Sequence, residues 1–356
     1  MKKARRLMIT IGIIVFGAVM TSCGSNSIKQ ERLDKIPDDA SSAVEKSYDK
    51  LNLPDDISFD IPDEIYTYSY KKKTDIITNI DDDKCRKIIE LMYDNDDFDK
   101  TLHPDEVIMK EHINESYDGG NFVFSNYDRD ENVTLSGSGE MSMGKLGDKG
   151  NEICVSSFLL ADKQTNDSEQ KAIDKACSFM GDICNIMGCD ALSAFALSHT
   201  QNSAGEDFCT VHFCQTLDDM RIDTFGMMSA DNLMPDEIKY YGYDNYVVVD
   251  KDNNVYSCSF NGPFVTERKE QIKKISSLST TLEYVDKELA PNVNVDIKSI
   301  ELIYAVQIKP AELIPVWAIE FSETEQDITA YNSIYVNAVD GSVDCLIDSF
   351  YEKHEP

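Results

Sequence analysis

Few of the 356 residues have the types and spacing that chemistry needs. Gly139-Glu140-Met141-Ser142-Met143-Gly144-Lys145-Leu146 fits a phosphate-binding loop up to its last position, where Leu146 replaces the Ser or Thr that would hold Mg²⁺. Gly147-Asp148-Lys149-Gly150 follows where a helix N-terminus should face the phosphates. The stretch reads as a turn-rich hairpin, and nucleotide binding is rejected. Cys177, Cys184 and Cys189, with His199 or His212, have the composition of a metal site. However, Ile173, Cys177, Met180, Cys184 and Met187 recur at the spacing of one apolar helix face, where a free cysteine acts as a small hydrophobe. No C-x-x-C pair occurs, so neither a metal nor a cofactor is expected. Cys209 and Cys214 lie five apart in a strand-like run, point to opposite faces and are not expected to bond.

The histidines, His103, His112, His199, His212 and His354, leave few candidates for a general base. His212 lies in a strand-like run and reads as a packed or surface residue. No Gly-x-Ser-x-Gly elbow and no His-Glu-x-x-His helix is present. Asp94-Asn95-Asp96-Asp97 and Asp128-Arg129-Asp130 resemble calcium loops but lack the glycine at loop position six and the glutamate at twelve. Paired carboxylates for glycoside hydrolysis exist in any number among 65 acidic residues, so no particular pair stands out. No catalytic residue is assigned, and the chain is expected not to be an enzyme.

The clearest signal is at the start. Lys2, Lys3, Arg5 and Arg6 precede the apolar stretch 7–20, then Thr21, Ser22 and Cys23. The apolar run is shorter than the roughly 20 residues that span a bilayer, which favours a cleaved signal over a permanent anchor. Met20-Thr21-Ser22-Cys23 resembles the lipobox of bacterial lipoproteins, with Met20 in place of the usual Leu or Val. That resemblance implies removal of residues 1–22, a diacylglycerol on the Cys23 sulfur, palmitate incorporation, and residence on the extracytoplasmic face of the cell membrane. Two acyl chains hold a protein firmly, at roughly 0.8 kcal/mol per buried methylene.

Residues 23–62 are polar, acidic and broken by Pro37, Pro54 and Pro62, and read as a flexible tether with a root-mean-square reach of roughly 35 Å. A helical turn or two over 41–51, capped by Ser41 or Ser42, is the expected exception. Loss of the four basic residues of the signal takes the formal charge from −31 to −35. So acidic a surface repels nucleic acid and anionic headgroups and should stand off from the membrane. Besides Cys23, nine cysteines remain, an odd number that cannot all pair within one chain.

The elements that follow imply an α+β chain. Residues 63–164 read as an N-terminal α+β domain, with strands at 65–70, 122–124, 133–135 and 153–160 and a helix over 83–93 burying Ile88, Leu91 and Met92. Residues 165–265 and 266–356 read as two passes of one helix-plus-antiparallel-sheet plan. In the first, Ser168 caps a helix to Met187, with strands near 194–198, 207–215, 246–249 and 255–260. In the second, 269–289 is helical with a break near 276–279, and strands fall at 297–308, 316–321, 334–339 and 343–347. Asp340-Gly341 suits a two-residue hairpin turn, and Trp317, Ile319 and Phe321 alternate as one core-facing side.

Leu313-Ile314-Pro315-Val316-Trp317, with Val336-Asn337-Ala338-Val339-Asp340-Gly341-Ser342-Val343, resembles the closing strands of PepSY-like modules, including the YycH/YycI-type extracytoplasmic regulators of a cell-wall sensor kinase. The resemblance extends over the C-terminal half and implies a binding or regulatory scaffold, with no catalytic residue. The expected function is a lipid-anchored, non-enzymatic scaffold for another protein or an envelope component. An envelope hydrolase with acidic catalytic residues and a small-ligand binder are the alternatives.

Overall fold

The computed structural model describes residues 28–54, 57, 59, 61–71, 87–88, 91, 108–110, 121–126, 131–136, 141–145, 153–160, 164–202, 205–223, 245–289, 294–307, 310–325 and 328–353. The chain is α+β, as expected. β1 (Gln30–Arg32), a 3-10 turn (Leu33–Lys35), α1 (Ile36–Val44), β2 (Leu51–Asn52) and β3 (Ile65–Lys71) come first. β4 (Ile108–Lys110), β5 (Asn121–Asn126), β6 (Glu131–Ser136), β7 (Met141–Lys145) and β8 (Ile153–Leu159) precede the long α2 (Asp167–Met187). β9 (Ser193–Gln201), β10 (Asp207–Cys214), β11 (Thr216–Leu217), β12 (Met220–Arg221), β13 (Asn245–Asp250), β14 (Val255–Phe260), β15 (Val265–Ile272) and β16 (Lys274–Ser276) follow. α3 (Leu278–Glu288) leads into β17 (Val295–Gln307), β18 (Glu312–Glu325), β19 (Ile328–Asn337) and β20 (Val343–Lys353).

Two compact units result, neither continuous in sequence. Unit one takes the described residues of Met1–Ser69, Leu217–Gly242 and Glu267–Pro356, and unit two those of Tyr70–Thr216 and Tyr243–Thr266. The sequence pattern divided the chain into consecutive segments at 164 and 265. Instead, β4–β8 share a nine-stranded sheet with β9, β10, β13 and β14. The joint is β7 against β14, where Met143 pairs with Cys258.

In unit two, the strand order is β4-β5-β6-β7-β14-β13-β10-β9-β8, and α2 lies on β13, β10 and β9. Asn166, rather than Ser168, caps α2: its Oδ1 accepts from the Ser168 and Glu169 amides at 2.9 and 3.0 Å, while Glu169 Oε2 accepts from the Asn166 amide at 2.8 Å. This reciprocal box is worth about 1 kcal/mol. Gly188, at φ 66°, ends the helix in the left-handed region. Ile173, Met180, Cys184 and Met187 are buried with Ala176, Phe179 and Ile183, but Cys177 is exposed, so the buried stripe leans away from the one expected. Ile88 is buried in the same core, and residues 87, 88 and 91 are helical, with the rest of the expected 83–93 helix outside the described residues.

Unit one begins where a tether was expected. Ile36, Ala40 and Ala43 are buried at helical spacing on α1, which packs against α3. Asp39 accepts from Ser277 Oγ at 2.8 Å and from the Ser279 amide at 3.2 Å. Leu51 pairs in parallel with Val295. Pro37 near the first helical position and Asp38 and Asp39 in the first turn start a helix rather than break the chain. α3 also differs from expectation, because 265–276 forms strands β15 and β16 and the helix begins only at Leu278, capped by Ser277 Oγ accepting from the Thr280 amide.

β17, β18 and β19 form an antiparallel core, with Leu302 opposite Trp317 and Val336 beyond it. Both faces of β18 are covered: Trp317, Ile319 and Phe321 are buried on one, Val316 and Ala318 on the other. The β19–β20 connection is longer than a two-residue turn. Asn337 donates its amide to Ser342 O and accepts from the Gly341 amide, both at 2.8 Å, while the Ala338 amide is drawn to Pro315 O at 2.9 Å. Gly341 sits at φ 73°.

Candidate functional site

The described residue types best able to do chemistry together are Cys209, His199 and Glu169, all in unit two. β9 and β10 place His199 directly opposite Cys209, and α2 brings Glu169 over them. Cys209 Sγ lies 3.7 Å from His199 Nδ1, and His199 Nε2 lies 3.0 Å from Glu169 Oε1. Thiol, imidazole and carboxylate therefore stand in line, the order of a nucleophile, its base and the group that orients the base.

Electrostatics and backbone work against nucleophilic use. Burial pushes the Cys209 thiol above its ordinary value, and Glu169 and Asp207 add to the rise, so it stays protonated near neutral pH. β10 is paired on both sides, with Cys209 opposite His199 and Val249. The surrounding strand amides belong to those ladders and are not aimed together at an incoming oxyanion. Glu169 is committed twice, to the α2 cap and to His199. The line ties the first turn of α2 to the sheet.

Ser198 and His212 form a second pair on the other face of β9 and β10. Ser198 Oγ lies 3.0 Å from His212 Nε2, both residues are buried, and the Phe195 and Tyr246 rings flank the imidazole at 6.4 and 6.3 Å between centroids. His212 is thus a packed residue. The expected metal candidates are dispersed: Cys177 points outward, Cys184 lies in the core, and Cys189 Sγ contacts Cys184 O at 3.6 Å. Among the described residues, no three His, Cys, Asp or Glu side chains are grouped to hold a metal ion. Cys209 and Cys214 are not bonded to each other. Residues 141–145 of the loop-like glycine segment form β7, paired with β6 and β14. Cys23, His103, His112 and His354 lie outside the described residues.

Unit one holds a denser charge cluster. Arg221 contacts Glu301 at 2.6 Å, Asp223 at 3.1 Å and Glu320 at 3.9 Å. Tyr335 donates to Asp223, and Ser299 Oγ donates to Glu320 at 2.9 Å. Burial lifts the Glu320 carboxyl to about 7 against the pull of Arg221, with Glu301 adding to the rise. The register brings these groups together: Ser299 faces Glu320, Glu301 faces Ala318, and Ala318 faces Tyr335. No sequence spacing reveals it, because Arg221 and Asp223 enter from a separate segment. Asn166-x-x-Glu169 was readable as a capping box, but the His199–Cys209 pairing needs a strand register that sequence does not carry.

No protein-family model matches the chain, and no curated protein matches it. A solved structure of an uncharacterized protein from Eubacterium rectale is similar at 12% identity and a TM-score of 0.49, over 84% of this chain and 92% of that one.

Proposed function

We propose that the mature chain is a lipid-anchored protein of the extracytoplasmic membrane face that acts as a non-enzymatic binding or regulatory scaffold. The observation that carries this reading is the leader itself: a basic start, an apolar run, then Met20-Thr21-Ser22-Cys23 followed by polar residues. Helices combined with antiparallel sheet in both units support the likeness to PepSY-like modules. β20 adds a surface for a partner. It runs for 11 residues and, among the described strands, pairs with β19 alone, leaving an edge that an extended segment of another protein could extend. The test is in-cell crosslinking and pull-down of the lipidated protein from native membranes. A single reproducible membrane-protein partner supports the scaffold, whereas recovery of wall polymer alone counts against it.

A second reading, an envelope hydrolase, is favoured by one observation: the Glu320, Glu301 and Asp223 carboxylates converge on Arg221, and burial lifts the Glu320 carboxyl to about 7. Incubating the lipidated protein with purified wall material decides it. Release of soluble fragments that Glu320→Gln abolishes would establish hydrolysis.

A further inference from the structure

The geometry points to one face of unit one as the membrane-contacting surface: the β1–β16 ladder with its exposed lysines and arginine, lying against anionic lipid headgroups. This rests on the lipid-anchor reading of Cys23. Only five peptide steps separate Cys23 from Ile28, where the described chain begins, and five steps span at most about 18 Å. The structured chain thus starts far closer to the anchor than the long tether read from sequence would allow.

Its point of entry is fixed. Ile28 is buried and sits so close to Gly341 that a Cβ there would meet Ile28 Cβ at 2.9 Å. Gln30 and Arg32 pair with Ser276 and Lys274, and the Ser277 amide donates to Lys29 O at 2.8 Å. Lys29, Arg32, Lys35, Lys273 and Lys274 are exposed on this ladder and its flanks. The acidic residues there and in the adjoining segments are Glu31, Asp34, Asp39 and Asp340, and Lys29 and Arg32 pair with Glu31 and Asp34. Five cations against four acids leave a small local excess of positive charge, in a mature chain of net −35, where the lipid pulls the protein toward the bilayer. Such clusters are drawn to anionic leaflets, and the attraction acts within a Debye length of about 8 Å. The opposite end of the same unit is marked by register. Ile328 of β19 pairs with Lys353, and nine residues of strand carry β19 about 30 Å from Asn337.

The experiment is lysine footprinting of the full-length lipidated protein with an uncharged acetylating ester, read by mass spectrometry. The protein is placed on phosphatidylglycerol vesicles, on phosphatidylcholine vesicles, or left lipid-free as Cys23→Ala. The expected result is slower acetylation of Lys29, Lys273 and Lys274, at least about threefold, on phosphatidylglycerol relative to both other conditions, with Lys353 unchanged. Equal protection of Lys353, or no protection in protein whose mass carries the diacylglycerol, overturns the orientation while leaving the anchor standing. Equal protection on phosphatidylcholine overturns the role of charge. A mature mass without lipid overturns the anchor reading and this inference with it.

Discussion

The indole Nε1 of Trp317 donates to the main-chain oxygen of Ser276 at 2.8 Å, joining the centre of β18 to the strand just before α3. Ser276 in turn donates its amide to Ala338 O at 2.7 Å, so one residue links the core strand, the N-terminal ladder and the β19–β20 turn. Trp317 is fully buried, as the alternation in its strand implied. Trp317→Phe removes the donor and leaves a void, and should cost about 2–4 kcal/mol. Urea unfolding followed by far-ultraviolet circular dichroism checks this; a loss under about 0.5 kcal/mol would mean the link is not holding the segments together.

Gly341 combines positive φ with the close approach of Ile28. Gly341→Ala should destabilise by about 1–2 kcal/mol through backbone strain and the clash. In a double-mutant cycle, Ile28→Gly, which removes the Cβ that makes the contact, should relieve the clash and leave the strain, giving a coupling of about 0.5 kcal/mol or more. Strict additivity would show that residue 28 does not sit on the turn.

Glu320 predicts a pH signature. Its folded value of about 7 lies above the ordinary 4.5, so between these pH values the folded chain holds a proton that the unfolded chain has lost. The folded state carries no penalty from this group below about 4.5 and the full penalty above about 7, so its contribution falls as pH rises. The melting temperature of Glu320→Gln minus that of the wild type should therefore become more positive from pH 5 to pH 8. A difference that is flat or falls over that range would contradict the burial of this carboxyl.

Thiol labelling tests unit two. Cys177 is exposed, whereas Cys184, Cys214 and Cys258 are buried, and Cys209 is held as a thiol by burial and neighbouring carboxylates. Among the described cysteines, an uncharged maleimide at pH 7 should modify Cys177 first and reach the three buried thiols only through local opening, at least about tenfold more slowly. Cys209 labelling ahead of Cys177 would mark it as an activated nucleophile and reopen the reading of its His199–Glu169 line.

Local sequence signals served well where local physics decides. The aromatic and β-branched run in β3 and the apolar alternation of β9, β10, β13 and β14 gave strands. The buried face of α2, apart from Cys177, gave a helix. They failed where tertiary contacts decide. The prolines and acidic residues of 23–62 favour a tether, whereas Ile36, Ala40 and Ala43 of α1 are buried and the helix packs on α3. Residues 269–276, rich in Glu and Lys, read as helix but pair as strands with β3 and β1. The two charged lines, Cys209–His199–Glu169 and Arg221–Glu301–Glu320, depend on registers between distant segments, which residue types alone do not encode.

The central claim is that Cys23 carries the membrane anchor, and metabolic labelling with an alkyne palmitate analogue tests it most directly. Wild-type protein should take up label and partition with membranes, and Cys23→Ala should do neither. Label retained by Cys23→Ala, or an unlabelled wild-type chain, would contradict the account.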